Sequence, residues 1–186
     1  MINDIEQLVH KVLAKKDIDS SMIPDLDLYI DQIITLLDKY LSENKRHDGE
    51  KILTKTMVNN YSKQGIIKPI KGKKYSKDHI IQMLMVYSLK NTLSIEEIKR
   101  ILKPIYEQSD KGEIDLKEVY DHFLQMKHSK QDLMANSISQ IIENENLDFQ
   151  NSNDRLVTIL CLCALSEFSK NVAQELIDYY FPIKDK

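Results

Sequence analysis

The sequence contains little glycine and little proline, four of each in 186 residues. Tight turns between strands depend on these residues, so an all-β sandwich is disfavoured and a mainly helical fold is predicted. Apolar residues make up 42% of the chain and charged residues 30%, a globular composition that argues against disorder. A chain of this length can fold as one large domain or two small ones.

Cysteine is also scarce, because Cys161 and Cys163 are the whole supply. Two thiols cannot build a disulfide framework, which points to a reducing compartment. Both lie in an apolar helical stretch with no further Cys or His nearby. We therefore expect them to be buried small side chains rather than zinc ligands.

Signals for export or membrane insertion are not evident in the pattern. The N-terminal residues 1–16 mix charges into their apolar pattern and offer no small-residue cleavage site, so they are not a signal peptide. The longest apolar run, Leu156–Leu165, is broken only by Thr158 and is too short to span a bilayer. We expect a soluble cytoplasmic protein without a membrane partner.

Motifs of catalysis and metal binding are lacking as well. No Gly-rich phosphate loop, nucleophile elbow or paired-carboxylate motif occurs, so we expect neither an enzyme nor a cofactor. The five histidines have no metal-ligand spacing. Glu107–Glu118 approaches a calcium-loop template, but Lys111 occupies a ligand position, where a cation is unfavourable. A turn between two helices, capped by Asp115, is the preferred interpretation.

Charge is distributed unevenly in a chain whose net charge is −3. Residues 45–103 hold 14 Lys and Arg against 5 Asp and Glu, whereas residues 1–44 and 104–186 are both net acidic. Within Lys51–Lys77 there are eight Lys and no acidic residue. A basic patch on an acidic body is typical of a protein that binds a phosphate backbone. The alternative is a solvated Lys-rich loop that maintains solubility.

Apolar spacing and capping residues predict the order of elements. Residues 105–126 form one or two helices around a turn at Asp110–Glu113, and residues 154–181 also form one or two. The only strand candidate is residues 66–75, predicted as a small β-hairpin around Pro69 and Gly72. The other predicted helices cover residues 2–15, 25–42, 55–64, 77–91, 94–103 and 129–144.

The predicted helix 55–64 divides its side chains into two faces. Met57, Val58 and Tyr61 fall on the apolar face at 100° per residue. Two adjacent Asn in mid-helix are poor helix formers, and an Asn amide can pair bidentately with adenine in the major groove. The alternative is an ordinary solvated face. The polar face, without any acid, consists of Lys55, Thr56, Asn59, Asn60 and Lys63.

Basic residues also surround the predicted hairpin that follows this helix. A basic hairpin beside a helix can contact the phosphate backbone while the helix enters the groove. The candidate phosphate contacts are Lys68, Lys71, Lys73 and Lys74.

The order of residues over about 53–103 resembles the winged helix-turn-helix of MerR-type regulators. The resemblance implies a recognition helix at 55–64 and a wing at 66–75, with Tyr75 and the wing lysines touching phosphate or the minor groove. It also implies a dimer on a palindromic duplex site. The matching residues are Thr54, Tyr61, Gly65, Ile66, Ile67, Pro69, Lys74, Tyr75, Ser76, Asp78, Ser94, Ile95, Glu96, Glu97 and Ile98.

The whole chain is also similar to an uncharacterised bacterial family, domain-of-unknown-function family 1836, which implies no activity. We predict three regions: residues 1–24 as an N-terminal helix and linker, 25–103 as the DNA-binding domain, and 104–186 as a helical dimerisation or effector domain. The predicted function is a transcriptional regulator that binds double-stranded DNA as a homodimer, with room for a small-molecule effector. The alternative is an adaptor whose basic face meets an acidic protein partner.

Overall fold

The computed structural model describes residues 2–70, 72–143 and 147–183, with the backbone alone for residues 2–6 and 143. The chain is mainly helical, as predicted, and its described residues form one small two-stranded antiparallel sheet. The elements are α1 (Ile2–Leu13), β1 (Leu28–Tyr29), α2 (Ile30–Leu41), α3 (Lys55–Lys63), β2 (Lys74–Tyr75), α4 (Lys77–Leu89), α5 (Ile95–Asp110), α6 (Leu116–Ser129), α7 (Gln131–Glu143) and α8 (Ser152–Tyr180).

The chain forms two compact units, each joining segments that are distant in the sequence. The larger unit contains Lys16–Leu124 and Leu176–Lys186. The smaller unit contains Met1–Lys15 and Gln125–Glu175.

The hydrophobic core of the larger unit surrounds α4. Five apolar side chains of α4 are buried on nearly all its sides, which is the pattern of a central helix. The apolar faces of α2, α5 and α6 pack in the same core. Its most completely buried side chains are Ile18, Ile23, Ile33, Leu37, Leu41, Ile66, Ile67, Ile80, Ile81, Met83, Leu84 and Ile98.

Helix α5 extends further than predicted. Ser94 and Glu97 form the expected capping box at its start, but the helix passes through Pro104 and ends at Asp110 instead of Lys103. Proline removes one helical hydrogen bond, an effect that favours a break. The apolar spacing continues across it, however, because Leu102 and Tyr106 are both buried in the core. The packing of these side chains therefore keeps the helix continuous despite the proline.

The predicted hairpin over residues 66–75 is wrong. Ile66 and Ile67 are consecutive and both fully buried, whereas a half-buried strand would alternate. The Lys68 N–H donates to the side-chain oxygen of buried Gln82 at 2.9 Å, so the segment hydrogen-bonds to a helix rather than to itself. Strand β2 pairs with β1 in the register Leu28↔Tyr75 and Tyr29↔Lys74.

Two clamps hold the chain on either side of the loop between α2 and α3. The buried Asn44 side chain accepts from the Lys16 N–H at 2.8 Å and donates to the Lys16 carbonyl at 2.7 Å. Beyond the loop, the Lys90 ammonium donates to the Ile52 carbonyl at 2.9 Å. Residues 46–50 between these clamps are all exposed.

The smaller unit has few buried apolar side chains. Among its described side chains, Ala135 and Ile142 are the buried hydrophobic ones. The Gln131 side chain donates a hydrogen bond to the Leu13 carbonyl, which links α7 to the end of α1.

Helix α8 is a single helix of 29 residues. Cys161 and Cys163 are both exposed, which corrects the expectation that they are buried. Leu160 and Leu165 beside them are exposed and Leu162 is only half-buried, so the apolar composition around them does not mark a core. Among the described residues, α8 is the one helix that could cross a bilayer by length and composition, and 6% of that stretch is buried.

Candidate nucleic-acid interface

The two ends of α3 are fixed by hydrogen bonds that its sequence supplies. The Thr54 hydroxyl accepts from the Met57 N–H at 3.1 Å and caps the first turn. At the other end Gly65 adopts φ 72°, the left-handed conformation that suits glycine after a helix. The turn lets the N–H groups of Ile66 and Ile67 both reach the Tyr61 carbonyl, at 2.9 and 3.4 Å.

Buried anchors determine which way α3 faces. Val58 is 0% exposed and Tyr61 is 7% exposed, and both lie in the core. The opposite side of the helix therefore faces outward, and the asparagines project from the surface. All five predicted side chains of this face are exposed: Lys55, Thr56, Asn59, Asn60 and Lys63.

Among the described lysines of the acid-free segment, three are reached by acidic residues from elsewhere in the chain. Lys68 lies 2.6 Å from Asp110, and Lys77 lies 2.6 Å from Asp25. The pair between Lys55 and Asp31 is longer, 3.7 Å, and both side chains are exposed. All three acids lie outside Lys51–Lys77 in the sequence. The positive potential around this segment is therefore lower than its own composition indicates.

Two of the predicted contacts, Lys68 and Tyr75, are less exposed than the other described ones. The Lys68 side chain is 22% exposed, and its ammonium lies 5.7 Å from the Tyr106 ring centre as well as beside Asp110. The Tyr75 side chain is 6% exposed and packs edge-on against His79 at 5.9 Å. Lys68 is held by an acid and Tyr75 is packed against a ring, so both are less accessible to a phosphate than the other described contacts.

The remaining predicted lysines differ in position. Lys73 and Lys74 are exposed, at the turn and in β2. Lys71 lies outside the described residues. The Lys74 ammonium is 5.2 Å from the ring centre of Tyr29, its partner in the ladder.

A continuous surface joins β2 to α3. Tyr29, 48% exposed, lies under Lys74, and Asp31 two residues further on pairs with Lys55 in the first turn of α3. We call the exposed face of α3 together with Lys73 and Lys74 the basic face. Sequence reasoning missed Tyr29, because its role depends on the pairing of β1 with β2.

His79 connects this surface to the start of α4. Its Nδ1 accepts from the Ser76 N–H at 3.3 Å and lies 2.8 Å from the Ser76 hydroxyl, replacing the acidic or amide side chain of a usual capping box. An accepting Nδ1 belongs to a neutral ring. Burial lowers the pKa of His79 below 6.5, while the Pro69 carbonyl opposes this to a smaller extent.

We expect acidification to destabilise the fold through His79. Its folded-state pKa lies below the value of 6.5 for an unperturbed ring, so between these two values the unfolded chain binds more protons than the folded one. The free energy of unfolding should therefore fall as the pH drops through 6.5. Urea denaturation of wild type and His79→Gln at about pH 7 and about pH 5 measures the difference. Gln keeps an acceptor and cannot titrate, so its curve should be flatter; equal slopes would contradict the assignment.

A groove of about 540 Å³ lies between α5 and the C-terminal segment. The Arg100 guanidinium in its wall is already engaged, because it donates to the Phe181 carbonyl at 2.7 and 2.9 Å and pairs with Asp178 at 2.8 Å.

The described residues contain no cluster of His, Cys, Asp or Glu that could hold a metal ion. The turn at Asp110–Glu113 lies between two helices as predicted, and Asp115 caps the second by accepting from the Lys117 N–H at 2.7 Å.

Residues 18–123 match the family model described as Domain of unknown function (DUF1836). The chain belongs to this family. The matched residues begin and end inside the first segment of the larger unit, so the family domain includes α3, the ladder and α4. Neither the search of curated proteins nor the search of solved structures found a match.

Proposed function

We propose that this protein is a transcriptional regulator that binds double-stranded DNA through the basic face. The observation that carries the proposal is the orientation of α3: an acid-free helical face with two adjacent Asn is turned to solvent by the buried anchors Val58 and Tyr61. A helix that presents Asn and Lys side chains together can read bases and contact phosphates.

The roles of individual residues follow from their exposure. Asn59 and Asn60 contact base edges in the major groove, with Thr56 beside them. Lys63, Lys73 and Lys74 contact phosphates on either side of the groove. Lys55 shares its charge with Asp31, so its contribution to phosphate binding is smaller.

In this proposal, helices α2 and α3 act as a MerR-like helix-turn-helix. The segment from Gly65 to Tyr75 takes the place of the wing without forming a hairpin of its own. The protein works in the cytoplasm as a homodimer on a palindromic site, without catalysis or a cofactor. A small-molecule effector would bind elsewhere in the chain.

A second candidate function is an adaptor that binds an acidic protein. The exposed Tyr29 favours it, because aromatic side chains are enriched at protein interfaces. Both functions depend on the lysines, whereas the two asparagines matter for base reading alone.

Selection from random duplex DNA at a fixed salt concentration tests the DNA-binding proposal. We expect the wild-type protein to enrich one palindromic motif. Changing Asn59→Ala together with Asn60→Ala should flatten that preference and cost about 1–3 kcal/mol at the adenine positions. Alanine is the better helix former, so lost specificity cannot be attributed to a weaker helix.

Asn136→Ala is the matched control, since Asn136 is an exposed Asn in the middle of α7. It should leave the selected motif unchanged. Failure of the wild-type protein to retain any duplex at low salt would refute the regulator and leave the adaptor.

A further inference from the structure

The smaller unit leaves large apolar side chains in contact with solvent. Between Leu156 and Val172 of α8, six of them are each at least 55% exposed. Five of them, all but Ile159, lie within an arc of about 160° around the helix and form one apolar surface. Soluble monomers rarely expose a contiguous apolar surface of this size. The six side chains are Leu156, Val157, Ile159, Leu160, Phe168 and Val172.

The spacing on α8 is that of a helix which packs along another helix. Val157, Cys161, Ala164 and Phe168 follow one another at intervals of four, three and four residues, so they form one stripe. Val172 continues it one turn later. We call these five residues the α8 stripe. The first, second, fourth and fifth are exposed, and Ala164 is half-buried.

A bilayer is a poor occupant for this surface. The uncharged part of α8 covers residues 156–166, about 16 Å of helix, whereas the hydrocarbon core is about 30 Å thick. A spanning helix would carry Glu167 and Lys170 into that core, and charged side chains there are costly. The short uncharged stretch and the two charges favour another protein surface as the occupant.

A second copy of this chain matches the exposed apolar surface of α8 in both area and chemical character. Five of the six, all but Ile159, share one side of α8. If each of these five hides roughly 100 Å², a pair buries about 500 Å² per copy, near the lower limit for a specific interface. The partner surface must be apolar and uncharged, and the α8 stripe is such a surface. A two-fold pair lets the same stripe serve both sides.

We propose that two copies associate through the α8 stripe, which completes the core that the smaller unit lacks. This inference rests on the proposed function for the expectation of a homodimer and identifies the contact surface. It is tested without DNA, so its failure would leave the DNA-binding proposal standing on its own selection experiment.

Light scattering after size-exclusion chromatography of the full chain, at micromolar and submillimolar concentrations, measures the number of copies. We expect wild type to be a pair and Phe168→Glu to weaken pairing about 100-fold or more, because each pair loses two buried aromatic rings and gains two charges. Ser166→Glu is the matched control: the same charge enters an exposed position two residues away, on the opposite side of the helix. It should remain paired.

A labelling experiment keeps the proposal testable if circular dichroism shows that Phe168→Glu does not fold. In Cys163→Ser, Cys161 of the stripe should react with a maleimide more slowly as protein concentration rises. In Cys161→Ser, the remaining Cys163 should react at a constant rate. Wild type that stays a single copy, a paired Phe168→Glu, or concentration-independent labelling of Cys161 would each overturn the proposal. Sedimentation of single copies with phosphatidylglycerol vesicles would instead assign the stripe to a membrane.

Discussion

Replacing Ile67 with alanine is expected to lower the free energy of unfolding by about 3 kcal/mol. Ile67 is 0% exposed in the core of the larger unit, so truncation loses apolar burial and leaves a cavity beside well-packed neighbours. Its N–H also donates to the Tyr61 carbonyl, so the residue helps to hold the end of α3. Urea denaturation followed by circular dichroism measures the change.

Ile95→Ala is the matched control for this experiment. It removes the same atoms from a side chain that is 40% exposed at the start of α5. We expect a cost well below that at Ile67, about 1 kcal/mol or less. Similar costs at both sites would mean that Ile67 is not in the core and that α3 is not anchored as described.

Reversing two charges of the basic face, Lys63→Glu with Lys73→Glu, is expected to lower duplex affinity about 100-fold at low salt. If the basic face binds DNA as proposed, each substitution removes a phosphate contact and introduces repulsion. The logarithmic slope of affinity against salt should become shallower by about two per protomer. Fluorescence anisotropy with the selected duplex, at several salt concentrations, measures both quantities.

Lys99→Glu with Lys103→Glu makes the same change in net charge on α5, outside the basic face. It should weaken binding only slightly, through the overall field of the protein. If the two double variants lose affinity equally, attraction is a matter of net charge and the basic face is not the binding surface.

The helices and the orientation of α3 were predictable because both depend on neighbours in the sequence. Thr54 caps α3, Gly65 ends it, and Val58 and Tyr61 lie on one side at helical spacing. These features are local, so periodicity and capping are sufficient to read them. The same local rules failed at Pro104, where the burial of later turns decides the length of α5.

The burial of two predicted site residues depends on partners that are distant along the chain. Lys68 is engaged by Asp110, 42 residues later. Tyr75 is buried because β2 pairs with β1, a strand that precedes α2. Positive charge near a helix predicts a basic surface, but which lysines remain on it depends on tertiary contacts that no local pattern contains.

Because of the clamps at Asn44 and Ile52, the position of α3 does not depend on the length of the loop before it. Each clamp ties its side of the loop to a different part of the larger unit, through Lys16 and Lys90. Residues 46–50 therefore bridge two fixed points, and loops lengthen at a small entropic cost. An inserted tag or a new pair of chain termini at this site should leave the basic face undisturbed.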